Sequence, residues 1–154
     1  RGLAVIVDVV YNHATGSHPW AKMWWNGDRT AANNPWFNEY PTHPYNVYHD
    51  MNHENAMVKE HVKRSLEYLL TEYDVDGFRF DAAKHIELPN ECDGSQYWNL
   101  VLNNGTQFQY GEVLQDSISH DADYAKLFAI ISYNSYLFYL DFFVDRQFLC
   151  VANS

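Results

Sequence analysis

A chain of 154 residues, 47% hydrophobic and 17% aromatic, has room for one ordinary domain with a sizeable core. Its net charge of −10 argues against a nucleic-acid backbone or an anionic membrane surface as partner, and fits a neutral substrate or a bound cation. Two cysteines, Cys92 and Cys150, are too few for a disulfide framework, and no apolar run reaches membrane length. The chain opens on Arg1-Gly2 directly before a strand-like run, and is expected to be part of something longer.

Leu3 to Val10 is a nearly continuous β-branched run, the pattern of a strand buried on both faces of a parallel sheet. Polar residues Asp8, Asn12 and His13 gather at its C-terminal end. From Ala14 to Asn52 no period is sustained, and Gly, Pro, Asn, His and Trp dominate, as in His18-Pro19-Trp20 and Thr42-His43-Pro44. Long excursions of this kind within compact domains are usually functional. Trp20, Trp24, Trp25 and Trp36 offer flat faces for sugar rings, but packing of the excursion itself is the expected use. Ala56 to Tyr73 is a helix, with Val58, Val62, Leu66, Leu69, Leu70 and Tyr73 on one stripe, Asn55 as N-cap and a Glu60–Arg64 pair facing solvent. Gly77 to Phe80 follows as a strand, so the three elements read as a βαβ crossover carrying a loop insertion. A weaker helix is expected over Tyr97 to Leu102, a third strand over Phe108 to Val113 and a further helix over Asp121 to Ser132.

Each of the three strands delivers polar groups at its C-terminal end, where parallel α/β barrels and open α/β sheets build their active sites. The turn after the first strand, Asn12-His13-Ala14-Thr15-Gly16, lacks the glycine pattern of a dinucleotide site. Arg79 and Asp81 alternate onto one face of their strand, and a guanidinium beside a carboxylate favours its anionic form. Asp81 and Glu112 then stand on adjacent strands about 4.8 Å apart, close to the ~5–5.5 Å that separates the two carboxyl groups of a retaining glycosidase. Glu112, flanked by Tyr110 and Val113, is expected in an apolar setting that keeps its proton for a leaving oxygen. His49 and His53, four apart, lack the H-E-x-x-H arrangement, so zinc is not expected.

The blocks Asp8-Val-Val-Tyr-Asn-His13, Gly77-Phe-Arg-Phe-Asp-Ala-Ala-Lys-His85 and Gly111-Glu-Val113, in that order, resemble the conserved blocks of the α-amylase family of glycoside hydrolases. The resemblance spans roughly residues 2 to 133. It implies a partial (β/α)8 TIM barrel, about strands 3 to 5, with a small irregular loop domain inserted after the first strand present. Residues 1–13 would then be a barrel strand, 14–52 the inserted domain and 53–133 the barrel continuation, leaving 134–154 unassigned. The resemblance further implies Asp81 as nucleophile, Glu112 as general acid/base, Arg79 orienting Asp81, and Asp8 holding Arg79. His13 would contact the sugar at the cleavage subsite, with Lys84 and His85 on the leaving-group side. The implied substrate is an α-glucan such as starch, glycogen or a maltooligosaccharide, cleaved at α-1,4 bonds. Tyr48-His-Asp-Met-Asn52 resembles the short block near the end of the inserted domain, which implies calcium held by Asn12, Asp50 and the His85 backbone carbonyl.

The family's third acid, an aspartate preceded by histidine well downstream of the general acid, has no counterpart here. The two His-Asp pairs are His49-Asp50, inside the excursion, and His120-Asp121, too near Glu112. A full barrel takes about 250 residues, so the chain by itself is expected to be inactive and poorly stable. A debranching, cyclodextrin-degrading or transglucosylating member of the family, or a noncatalytic glucan-binding remnant, is the alternative.

Overall fold

The computed structural model describes residues 2–44, 47–86, 94–104, 108–113 and 129–131. Four parallel strands form its main sheet, in the order β1 (Ile6–Val9), β6 (Gly77–Phe80), β7 (Phe108–Glu112) and β8 (Ala129–Ile131). Asp8 lies opposite Arg79, which lies opposite Tyr110, and Phe80 lies opposite Gly111. Alternation therefore sends Asp8, Arg79, Asp81, Tyr110 and Glu112 to one face, and Val7, Val9, Phe78 and Phe80 to the other.

The apolar face is covered by helices. α2 (Ala56–Tyr73) presents Val58, Val62 and Leu66, and α3 (Gly94–Leu102) presents Tyr97, Trp98 and Val101, into one cluster with Val9, Phe78 and Phe80. Trp98 meets Phe80 edge to face at 5.6 Å. The start of α2 is fixed as its sequence indicates, Asn55 Oδ1 accepting from the Met57 amide at 2.8 Å, and Arg64 Nε donates to Glu60 at 2.7 Å on the outer side. Tyr73 leaves the expected stripe and is exposed, because α2 ends there in a left-handed Asp74 that turns the chain towards β6.

Between β1 and α2 the chain builds two short antiparallel ribbons and one helical turn. β2 (His13–Ala14) pairs with β5 (His49–Asp50), β3 (Trp25–Asn26) pairs with β4 (Arg29–Thr30), and α1 spans Pro19–Met23. Ala21, Phe37 and Met51 of this stretch are buried in the same cluster as α2 and β6. The tryptophans pack internally, as expected: Trp20 and Trp36 are 4.5 Å apart, and the Lys22 ammonium sits over the Trp25 ring. Asn34 holds the bend, its amide donating to the Trp20 carbonyl while its oxygen accepts from the Trp36 and Phe37 amides.

The first strand is shorter and less covered than expected: only Ile6–Val9 is strand, only Val9 of it is buried, and Leu3, Val5 and Val10 are exposed, its second face carrying the polar cluster. Another expectation also fails. Ala129–Ile131, placed by sequence within a helix, is strand β8, in register with Tyr110–Glu112. A short Ala-Ile-Ile run satisfies helix and buried strand equally by period, and the free edge of β7 decides it. The rest of that expected helix, Cys92, Cys150, His120-Asp121 and the tail 134–154 lie outside the described residues.

Two close contacts fix how the layers meet. A Cβ on Gly77 would lie 2.1 Å from the Phe108 carbonyl oxygen, so β6 and β7 approach only because position 77 has no side chain. Gly77→Ala is expected to destabilise the fold by about 3 kcal/mol or more, read as a lower urea midpoint with an unchanged slope. His53 is fully buried and its Nε2 lies 2.6 Å from the Tyr11 carbonyl, so this nitrogen carries the proton and donates it. Burial pushes the imidazole down to about 4 from 6.5, the Tyr11 hydrogen bond opposing and the Lys59 charge adding to the shift. A group with its folded value depressed contributes stability that is complete above pH 6.5 and is lost as pH falls towards 4. Urea titrations between these pH values should show wild type losing about 3 kcal/mol more than His53→Gln, the loss common to both coming from the other depressed imidazoles such as His85.

Candidate active site

Arg79 is the centre of the polar face. Its Nη1 donates to Asp8 Oδ1 and to Asp81 Oδ1, each at 2.7 Å, and its Nη2 lies 3.0 Å from Glu112 Oε2. β1, β6 and β7 each supply one part of this cluster, and the strand register brings the parts level. Burial works against the Arg79 charge, but the hydrogen bonds to Asp8 and Asp81 and the charges of Glu112 and Asp8 outweigh it and lift the guanidinium above its ordinary value. Arg79 is therefore a permanent cation. Its side chain is 19% exposed, against 62% for Asp8, 28% for Asp81 and 25% for Glu112, so Asp8 forms the wet side of the cluster.

Asp81 follows β6 directly, its amide still donating to the Val9 carbonyl at 3.0 Å. Ala82 then adopts a left-handed conformation, with φ of 47°, which a non-glycine residue holds only when its surroundings require it. The turn aims the Ala82 amide at Glu112 Oε2, which accepts from it at 3.1 Å. Glu112 thus sits among polar groups, a guanidinium and an amide, and the apolar setting expected for it from Tyr110 and Val113 is not its environment. The reason is the register: Glu112 points across to β6, while Val113 is buried with the opposite, apolar side. Lys84 and His85 lie in the 3-10 turn Ala83–His85 that comes next, both half-buried. Burial first, then the neighbouring His43 and Lys84, push the His85 imidazole down to about 4.

Asn12 and Asp50, the side chains that the sequence pairs as calcium ligands, belong to a second cluster, and both are buried. The space between them is taken by an imidazole: His43 Nε2 lies 3.3 Å from the Asn12 amide nitrogen and 3.4 Å from Asp50 Oδ1. The other Asp50 oxygen accepts from Asn38 Nδ2 at 2.8 Å and from the Thr42 amide at 3.2 Å. Oxygen donors of this kind suit a hard cation, and Asn12 Oδ1 is buried with no hydrogen-bond partner. As the side chains stand, however, the His43 ring nitrogen occupies the point between the two ligands. The arrangement does not fit calcium.

His13 lies on β2 opposite Asp50, its Nδ1 3.2 Å from the Asn12 amide nitrogen. It lines a cavity of about 520 Å³ together with Tyr11, Trp20, Tyr48, Met51 and His61. The residues lining that cavity include His13 but not Asp81 or Glu112. His49 and His53 are tethered to the Gly16 and Tyr11 carbonyls at 3.1 and 2.6 Å, which accounts for both without a metal. Sequence reasoning passed over His43, whose Thr-His-Pro context carries no period and no motif that would mark it.

The model of the α-amylase catalytic domain matches residues 25–129, more than half of the chain. Alpha-amylase 3 of Dictyoglomus thermophilum is 30% identical over 64% of this chain and 23% of its own length. The beta/alpha-amylase of Paenibacillus polymyxa is 30% identical over 96% of this chain and 13% of its own length. An α-amylase from Anoxybacillus superposes with a TM-score of 0.64 at 25% identity, over 85% of this chain and 30% of that structure. Other relatives include the 4-alpha-glucanotransferase of Thermotoga neapolitana, 28% identical over 68% of this chain and 29% of its own length. An amino acid transporter heavy chain of Rattus norvegicus is 28% identical over 75% of this chain and 22% of its own length. The chain thus spans less than a third of each of these relatives. A four-stranded parallel sheet with helices on its apolar face, ion-paired carboxylates on the other and this set of matches make the chain a member of the α-amylase family of glycoside hydrolases, carrying part of its (β/α)8 catalytic domain.

Proposed function

We propose that the chain is the nucleophile-bearing part of a retaining hydrolase that cleaves α-1,4-glucosidic bonds of starch or glycogen. The observation that supports this best is the pair of carboxylates on adjacent strands, Asp81 and Glu112, both held by Arg79. In this reading an Asp81 oxygen attacks the anomeric carbon as the glycosidic C–O bond breaks, and Glu112 gives its proton to the departing oxygen. Water then attacks the glycosyl-enzyme, Glu112 takes a proton from it, and Asp81 leaves as a carboxylate with the anomeric configuration retained. Arg79 fixes the Asp81 rotamer, and Asp8 fixes Arg79 from the wet side. His13 contacts the sugar at the cleavage point, while Lys84 and His85 line the leaving-group side. β1, β6 and β7 would be barrel strands 3 to 5, β8 the sixth, and residues 14–52 the domain inserted after the third. Among the described residues, four parallel strands with two open edges do not enclose a sugar, so these residues alone are expected to release no reducing sugar from starch.

The transporter relative supports a second reading, a member that keeps the blocks without catalysis. Substitution in the full-length protein separates the two. Glu112→Gln and Asp81→Asn should each lower starch hydrolysis on the order of 10³-fold or more, and early product followed by NMR should be the α-anomer. Unchanged hydrolysis in either variant, or a β-anomer first, would overturn the proposal. Arg79→Gln leaves three carboxylates facing one another, so its urea midpoint should fall and added NaCl should restore part of the loss by screening. Asp8→Asn, on the exposed side, should have the smaller effect on stability.

A further inference from the structure

We infer that His43 stands in for a cation, tying the stretch before α2 to the ends of β1 and β6 through its imidazole. Three separate pieces of chain meet on this ring. Asn12, from the turn after β1, lies 3.3 Å from Nε2, and Asp50, from β5, lies 3.4 Å from the same atom. His85, from the turn after β6, stacks on it with ring centroids 4.4 Å apart and planes 31° from parallel. The His43 side chain is 6% exposed and that of Asp50 2%, so the junction is dry.

The contacts have the character of one shared donor. His43 Nε2 stands 3.4 Å from Asp50 Oδ1 and 3.3 Å from the Asn12 amide nitrogen, and its N–H can be divided between two acceptors once the Asn12 amide is turned over. The amide of Asn12 can be turned over without moving its heavy atoms, which brings its oxygen to face the His43 and His13 ring nitrogens, both able to donate. In that orientation Asn12 and Asp50 present one oxygen each to the same N–H, as they would to a metal ion. Calcium requires 6–8 oxygens at about 2.3–2.6 Å, and a ring nitrogen between the two side chains leaves no room for that shell. The remaining Asp50 oxygen is already saturated by Asn38 and Thr42. His43 is thus a positioning residue. It acts through Asn12, which precedes His13, and through His85, which follows Lys84.

The test is calcium dependence, measured on metal-stripped full-length protein by thermal unfolding with EDTA or CaCl2 and by calorimetric titration of CaCl2. Wild type should show no change in Tm that depends on Asp50. His43→Ala removes the shared donor and opens the space, so its Tm should fall by about 5 °C in EDTA. CaCl2 should restore most of that loss, and the restoration should vanish in His43→Ala/Asp50→Asn. A residue that merely filled space would lose stability without acquiring a response to calcium, and that result would overturn the inference. So would a wild-type protein that binds calcium, with the binding removed by Asp50→Asn. Should His43→Ala fail to fold, the wild-type titration against Asp50→Asn decides alone: calcium binding that depends on Asp50 refutes the inference, and its absence upholds it.

Discussion

One guanidinium in contact with three carboxylates is the interaction on which the polar face depends. Asp8, Asp81 and Glu112 all point to the same side of a parallel sheet whose strands are about 4.8 Å apart, so their repulsion is built into the register. Arg79 makes that crowding tolerable because its planar fork reaches Asp8 and Asp81 through one nitrogen and Glu112 through the other. A lysine offers a point charge and could not span the same three oxygens.

The other face explains why this cluster holds its shape. Phe78 and Phe80 have no exposed surface, so β6 cannot slide by one residue without moving both out of the core and Arg79 into it. Gly77 admits the Phe108 backbone at the start of the strand, before the chain reaches its polar end. The turn after β1 is pinned separately from α2 and its N-terminal approach. Tyr11 hydrogen-bonds Ser65 with its hydroxyl and accepts from buried His53 with its carbonyl. Asn12 and His13 follow immediately, so the buried neutral histidine and the pairing of β2 with β5 place them together.

What the sequence made legible follows from range. The helix Ala56–Tyr73 and the strand Gly77–Phe80 were readable because period, cap and branching act within a few residues. The Arg79–Asp81 pair was readable because two residues on one strand face must meet. Asp8 and Glu112 came from their blocks, and only the strand register shows that they share one cation with Asp81. The failures are all long-range. Ala129–Ile131 is a strand because β7 offers it an edge, a fact held more than a dozen residues away. Glu112 is polar in its surroundings because Ala82 turns left-handed on another strand, and His43 matters because of partners 31 residues before it and 7 after it.

These two clusters divide the work of assembly between them. The Arg79 cluster is made by the sheet, and none of its members comes from the stretch before α2. The His43 cluster is centred on that stretch, and among its contacts are Asn12 after β1 and His85 after β6. The carboxylate cluster and the histidine junction are therefore set by different parts of the chain. In this chain the junction is closed by an imidazole, whose N–H has a fixed direction and needs no ion from solution. That directionality constrains the junction more tightly than a cation, which attracts oxygen from any side.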